Sequence, residues 1–223
     1  MAEKPILFNT QMVQAIQAGL KTQTRRIIKG LPLYEPFFEE DEGRGWLEDK
    51  GNGSFYALEA FSKVQPGDVL WVRETWNYGY IESSDREGAK EDWFEPCDRK
   101  TAEGLLKALS RYMYKADRDD DELMEELQGF WRPSIHMPRE AARIFLRVTG
   151  LRAERLQSIT IEEIKAEGLT SAAVHAGDKE IAFAEFKLLW NSTIKTDDLP
   201  RYGWDANPWV WVYEFEKMEA QHG

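Results

Sequence analysis

A lysine and a threonine stand three positions apart in Gly19-Leu20-Lys21-Thr22-Gln23-Thr24-Arg25-Arg26. A threonine hydroxyl is a poor nucleophile until a base takes its proton. A lysine amine serves as that base only when neutral. Bringing its pKa from ~10.4 to near ~7 requires roughly 4–5 kcal/mol of environmental bias. Burial and two neighbouring guanidinium groups, Arg25 and Arg26, both push that way. From Lys21 to Lys29 there are four bases and no acid, directly after a segment that reads as a helix ending in glycine. A helix C-terminus carries partial negative charge and accepts cations. The same residues therefore also suit a plain cap followed by a solvated basic strand. Geometry separates the two: residues three apart in a regular strand face opposite sides. Lys21 must sit in a turn, outside the strand, if amine and hydroxyl are to meet.

The surrounding pattern indicates what positions these residues. Thr10 is expected to cap a helix with an apolar face of Met12, Val13 and Ile16, stopped by Gly19. Pro66-Gly67-Asp68 reads as a turn into the strand Val69-Leu70-Trp71-Val72. Ala142 to Val148 alternates, with Ile144, Leu146 and Val148 on one face and Arg143, Phe145 and Arg147 on the other. Thr160 with Glu163 forms a capping box, and the short helix it opens ends at Gly168. A longer helix runs from about Glu180 to Trp190. The last strand, Trp209 to Phe215, places Trp209, Trp211, Tyr213 and Phe215 on one face. Several strands with few helices between them predict a mostly antiparallel, barrel-like α+β domain.

At 223 residues, 42% of them hydrophobic, the chain suits one domain with decoration, or at most two small ones. No apolar run approaches the ~20 residues that span a bilayer, and the N-terminal residues carry no signal-like apolar stretch. The single cysteine, Cys97, forms no internal disulfide, so a cytoplasmic, reducing compartment is expected. His136, His175 and His222 are far apart, and no spacing suits a metal site. Neither metal nor cofactor is expected, and oligomeric state is not encoded in any pattern.

Net charge is −11, which disfavours long phosphate-backbone contacts. The charge is unevenly spread. Residues 31–64 carry eight acids and three bases, residues 78–130 fifteen acids and eight bases, and the remainder 17 acids and 18 bases. The two acidic segments read as insertions into a balanced domain. The first holds the run Glu39-Glu40-Asp41-Glu42, the second seven acids and one base between Asp117 and Glu126. Within the second, Leu105-Leu106 and Tyr112-Met113-Tyr114 hint at short elements.

The octapeptide Gly19–Arg26 resembles the G-x-K-T-x-T-x-R signature of the ASCH family, whose members belong to the PUA-like group of small β-barrels. The chain is similar to the larger ASCH proteins common in phage and prophage genomes. Shared with them are Pro5-Ile6-Leu7-Phe8, Pro66-Gly67-Asp68, Trp71-Val72-Arg73-Glu74-Thr75-Trp76, Trp131 to Arg139, Ala166-Glu167-Gly168 and Tyr202 to Trp209. The resemblance spans both ends and skips the acidic segments. It implies one PUA-like domain over residues 1–223 with insertions at about 31–64 and 78–130. It implies RNA or a modified nucleoside as partner. One branch of the family removes the acetyl group from N(4)-acetylcytidine with a lysine, a threonine and a glutamate. By motif these fall on Lys21, Thr24 and Glu167. Lys21 would activate Thr24 for attack on the acetyl carbonyl, Glu167 would manage protons for the leaving amine and for water, and Arg25, Arg26 or a backbone amide would stabilise the oxyanion.

The resemblance also implies a site mouth lined by Arg73, Glu74 and Trp76, with Glu74 accepting from a cytosine amino group. The alternative for Arg73 and Glu74 is a surface ion pair, worth little. His136, beside Arg139, is either a hydrogen-bonded structural residue or a binding residue. Tyr202 and Trp204 lie in a loop suited to stacking on a base or to packing against the domain's end. Three functions stand against one another: an amide hydrolase acting on a modified base, a binding module for RNA or a modified base, and an acidic interaction protein that blocks a host factor.

Overall fold

The structure, a computed structural model, describes residues 2–29, 34–39, 44–49, 53–81, 94–97, 110–117 and 131–219. Its strands are β1 (Glu3–Leu7), β2 (Gln23–Ile27), β3 (Tyr34–Glu39), β4 (Arg44–Asp49), β5 (Ser54–Ala57), β6 (Val69–Arg73), β7 (Trp76–Ile81), β8 (Phe94–Cys97), β9 (Ser110–Tyr114), β10 (Phe145–Arg155) and β11 (Trp209–Lys217). Its helices are α1 (Thr10–Gln17), α2 (Ile161–Ala166), α3 (Ala172–Ala176), α4 (Lys179–Ser192) and α5 (Leu199–Tyr202), with several 3₁₀ turns. The class is α+β, as expected. The principal sheet is mixed and five-stranded, in the order β1-β6-β10-β11-β2; among the described residues this order is open rather than a closed barrel.

The chain divides into two compact units, the first made of Met1–Lys4, Ala15–Leu70 and Phe145–Gly223, the second of Pro5–Gln14 and Trp71–Ile144. In the first unit, β10 pairs antiparallel with β11 from Leu146↔Lys217 to Arg155↔Trp209, with a bulge between Val148 and Gly150. Strand β11 pairs antiparallel with β2 from Val210↔Ile27 to Glu214↔Gln23. The expected aromatic face of β11 carries Trp211 and Tyr213, packed with Ala153 and flanked by Ile28, Val64 and Leu151. Its other face is equally covered: Val210 and Val212 join Leu156, Ile164, Val174, Phe186 and Trp190, contributed largely by α2, α3 and α4. Such aliphatic side chains each stabilise by about 1.5–3 kcal/mol when fully buried.

Helix α2 opens with the expected capping box. Thr160 Oγ1 accepts from the Glu163 amide at 3.3 Å, and Glu163 Oε2 accepts from the Thr160 amide at 2.8 Å. Helix α1 departs from expectation at its start. The Met12 amide donates to Asn9 Oδ1 at 2.8 Å, so Asn9 rather than Thr10 supplies the capping side chain. At Pro66-Gly67-Asp68, Gly67 takes a φ of 89°, which supplies the turn. Asp68 then holds the N-terminal segment, accepting from the Ala2 amide at 2.9 Å, the Gln65 amide at 2.9 Å and the Lys4 ammonium.

The two acidic segments are structured where they are described. Residues 31–64 supply the antiparallel sheet β3-β4-β5 and a 3₁₀ turn, Leu58–Phe61. In the second unit, β7 lies between β8 and β9, both antiparallel to it. Tyr112-Met113-Tyr114 belongs to β9, whereas Leu105-Leu106 lies outside the described residues, as do residues 40–42 and 118–126 of the acidic runs. A core of Trp76, Met137 and Ala141 forms in this unit, with Tyr78, Tyr112 and Tyr114 around it.

Candidate functional site

Lys21 occupies a turn between α1 and β2. Gly19 adopts a φ of 73°, and the amides of Leu20 and Lys21 both donate to the Ala15 carbonyl, at 2.8 and 3.1 Å. Lys21 then forms an isolated antiparallel bridge with Glu167, and the Thr22 amide donates to the Ala166 carbonyl at 2.9 Å. The geometric condition set by the spacing is thus met: Lys21 stands outside the strand that carries Thr24.

Glu167 is the C-cap of α2, and its amide donates to the Glu163 carbonyl at 2.8 Å. The chain then turns away through Gly168, whose φ is 93°. A Cβ there would lie 2.8 Å from Ala15 Cβ and 3.1 Å from Lys21 Cβ. Glycine is what lets the helix end come down onto the lysine.

The Lys21 ammonium donates to Glu167 Oε2 at 2.7 Å and to the Glu167 carbonyl at 2.8 Å. The lysine side chain is 0% exposed and that of Glu167 is 5% exposed. Burial pulls the lysine's proton affinity below its ordinary value. Glu167 opposes that shift, and Arg26 and Arg25 add to it. Arg26 is also lowered, by burial first, with Glu167 and Tyr213 opposing.

Arg25 secures the other Glu167 oxygen, donating to Oε1 at 3.1 Å. It also donates to Glu154 Oε1 from Nε at 3.1 Å and from a terminal nitrogen at 2.6 Å, and it lies 3.2 Å from Glu163 Oε2. Arg152 extends the array to Glu154 Oε2 at 3.0 Å and to Glu163 and Glu214. Gln23 donates to the Glu163 carbonyl at 3.0 Å. Arg25 is thereby committed to three carboxylates, which makes it a positioning group for Glu167. The oxyanion role expected of it is better suited to a group without such ties.

Cross-strand register separates the side chains of β2. Directly opposed residues of an antiparallel pair share a face. Thr24 opposes Tyr213 and Arg26 opposes Trp211, whereas Arg25 opposes Val212. Thr24 and Arg26 therefore share the Trp211–Tyr213 face, and Arg25 points to the helix-covered face. Thr24 is 1% exposed. Two hydrogen bonds of the Lys21 ammonium end on Glu167.

Tyr202 and Trp204 are also in this unit. Trp204 meets Phe183 and Phe186 edge-on, with centroids 6.2 and 5.9 Å apart, and its amide donates to Asn191 Oδ1 at 2.9 Å. That is packing against the helical core. The Tyr202 ring carries Lys29 at 5.3 Å and Arg201 at 5.0 Å.

The remaining expected residues belong to the second unit. Glu74 is 1% exposed, and its two oxygens accept from Arg143 at 2.9 Å each. Burial raises its pKa and Arg143 opposes. Its partner is thus Arg143 rather than Arg73, with the carboxylate buried and the Arg143 side chain 27% exposed. Trp76 is a core residue, paired through its backbone with Arg132. Arg73 donates to the Ile135 carbonyl and lies 5.5 Å from the Trp71 ring centre, with Arg139 at 5.9 Å from the same ring. His136 is exposed and closes the 3₁₀ turn Ser134–His136.

Five residues of the array in the first unit were not singled out as site residues by sequence reasoning: Glu154, Glu163, Glu214, Arg152 and Gln23. Arg152 and Glu154 sit two apart on β10, so both face one way, and a charged pair at alternate positions of a strand was the available signal. Glu163 was legible as a cap but not as a partner of Arg25.

Among the described residues, no helix is long and apolar enough to cross a membrane, and no group of three or more His, Cys, Asp or Glu stands where it could hold a metal ion. No family model, curated protein or solved structure matches the chain.

Proposed function

We propose that the chain is an ASCH-type protein of the PUA-like group whose first unit hydrolyses an amide bond on a modified nucleobase such as that of N(4)-acetylcytidine. The observation that carries this reading is the Lys21–Glu167 pair, 2.7 Å apart and shielded from solvent, with the lysine three residues before a buried threonine. The mechanism needs the lysine as a neutral base and Glu167 as the acid, with one proton between them.

In the first half-reaction Lys21 takes the Thr24 proton as Oγ1 attacks the acyl carbon. The tetrahedral intermediate collapses as Glu167 gives its proton to the departing amine nitrogen. The C–N bond breaks, leaving an acyl ester on Thr24 and an ammonium on Lys21. In the second half, Glu167 takes a proton from water, the hydroxide attacks the ester, and Lys21 returns its proton to Thr24 as acetate departs. With Thr24 1% exposed, the side chains above it must shift to admit substrate, and the reaction then proceeds sheltered from bulk water. Incubation with N(4)-acetylcytidine should release cytidine and acetate. Turnover that survives Lys21→Ala and Thr24→Ala unchanged would remove the mechanism.

A second reading is a module that binds RNA or a modified base without chemistry, in which the enclosed Lys21–Glu167 pair, its side chains 0% and 5% exposed, serves the fold. A module would bind N(4)-acetylcytidine or an oligonucleotide and leave the acetyl group in place.

A further inference from the structure

The mechanism leaves two buried titratable groups on the Thr24 face unused, Arg26 and Tyr213. Tyr213 opposes Thr24 in the β2–β11 register, so their Cβ atoms lie about 4.5–5.5 Å apart on the same side of the sheet. Tyr213 is 6% exposed, and its hydroxyl is 3.2 Å from Ser62 Oγ. Ser62, 8% exposed, belongs to the first acidic segment, directly after its 3₁₀ turn.

The direction of the Tyr213–Ser62 bond follows from counting protons. Ser62 Oγ lies 2.8 Å from the Val64 carbonyl, which can only accept, so the one serine proton is spent there. Ser62 Oγ also accepts from the Val64 amide at 3.2 Å. The remaining contact of the serine oxygen, with the phenol, is therefore one in which Tyr213 donates. With its proton engaged by Ser62, the phenol oxygen has only lone pairs to offer. Burial also raises the phenol's pKa, with Ser62 and Arg26 opposing, which keeps the neutral acceptor in place.

We propose that Tyr213, oriented by Ser62, is an acceptor that selects substrates bearing an N–H on the scissile amide. This rests on the reading that Thr24 is the nucleophile. An acyl group attacked by Thr24 brings its amide nitrogen close to the same sheet face. A secondary amide satisfies the phenol oxygen there. A tertiary amide or an ester has no N–H to give it and forfeits that hydrogen bond. The first acidic segment is then part of the site, because it contributes the serine that fixes the phenol's direction.

The test compares N(4)-acetylcytidine with N(4)-acetyl-N(4)-methylcytidine, which lacks the N–H. Binding is measured on the Thr24→Ala protein and turnover on the protein with Thr24 intact. The N–H ligand should bind at least ~10-fold more tightly than the methylated one. Tyr213→Phe should reduce that preference to within about 3-fold, mainly by weakening the N–H ligand, and Ser62→Ala should reduce it part of the way. Thermal melting of each variant reports whether it is folded. Loss of preference in Tyr213→Phe supports the assignment even if no protein hydrolyses either compound, in which case the hydrolase reading alone fails. Hydrolysis with equal preference for the two ligands, or a preference untouched by Tyr213→Phe and Ser62→Ala, overturns the assignment and leaves the hydrolase reading standing. Neither binding nor turnover of either compound overturns both.

Discussion

Lys21 and Glu167, 146 residues apart in sequence, are joined through both the side-chain carboxylate, at 2.7 Å, and the main-chain carbonyl, at 2.8 Å, of the glutamate. The double attachment fixes the ammonium relative to the end of helix α2 as a whole. Arg25 fixes the second carboxylate oxygen. Glu167 therefore has little freedom to rotate beside the lysine.

If Glu167 carries the shuttled proton, Glu167→Gln keeps the shape but removes the transferable proton and turns one of the two oxygens that accept from Lys21 and Arg25 into a donor. Hydrolysis of N(4)-acetylcytidine should fall by roughly 10²–10⁴-fold. Substrate affinity, measured on the Thr24→Ala background, should change far less. A loss confined to KM would assign Glu167 to binding alone.

Arg25 neutralises a buried cluster of carboxylates from Glu154, Glu163 and Glu167. Removing one partner of a buried ion pair typically costs about 3–5 kcal/mol, because the other is left uncompensated. Arg25→Ala should lower unfolding stability by about that amount in denaturant titrations. Arg25→Lys keeps the charge but loses the planar fork, and should fall between the two.

Gly168 sets how closely the helix end meets Lys21. Gly168→Ala places a methyl 2.8 Å from Ala15 Cβ and 3.1 Å from Lys21 Cβ, at a φ of 93°. A strained backbone position of this kind costs about 1–3 kcal/mol. Stability should drop by that much, and hydrolysis should drop by more than the folded fraction does, since Lys21 itself is displaced. An unchanged melting temperature would contradict the contact.

Asp68 ties residues 2–4 to the turn before β6. The Lys4 ammonium is the chief reason its pKa falls from 3.8 to about 2, with the Gln65 and Ala2 amides adding to the effect. The unfolded chain binds the proton more readily, so this contribution to stability is fully present above about pH 4 and is lost as pH falls toward about 2. Asp68→Asn should therefore lower the melting temperature at pH 6, with the gap from the parent protein closing as melts are repeated down toward pH 2. A constant gap would show that charge is not the source.

What the sequence disclosed and what it hid follow from local and non-local physics. The capping box at Thr160–Glu163, the glycine turns at Gly19, Gly67 and Gly168, and the strands around Val69 and Trp209 depend on near neighbours, and they were legible. Strand β10 was read only to Val148, because beyond it Arg152 and Glu154 interrupt the apolar alternation. Those charges face a buried ionic array that only folding brings together. Trp211 and Tyr213 marked one face of β11, but the equal burial of Val210 and Val212 depends on helices 20–50 residues upstream. The acidic segments looked like decoration, since charge hid the short strands within them. The proximity of Glu167 to Lys21 came from the resemblance rather than from any periodicity. Ser62 and Tyr213 gave no sign of each other at all.

The central claim is that Lys21 loses its proton more readily than an ordinary lysine because the fold buries it beside Arg26 and Arg25, against the opposing pull of Glu167. The direct measurement is a pH titration of lysine side chains by NMR, using protein labelled at the lysine Cε position, with Lys21→Met identifying the resonance. The account predicts one lysine that titrates clearly below the ordinary value of ~10.4 and disappears in Lys21→Met. A Lys21 resonance that titrates with the surface lysines would contradict it.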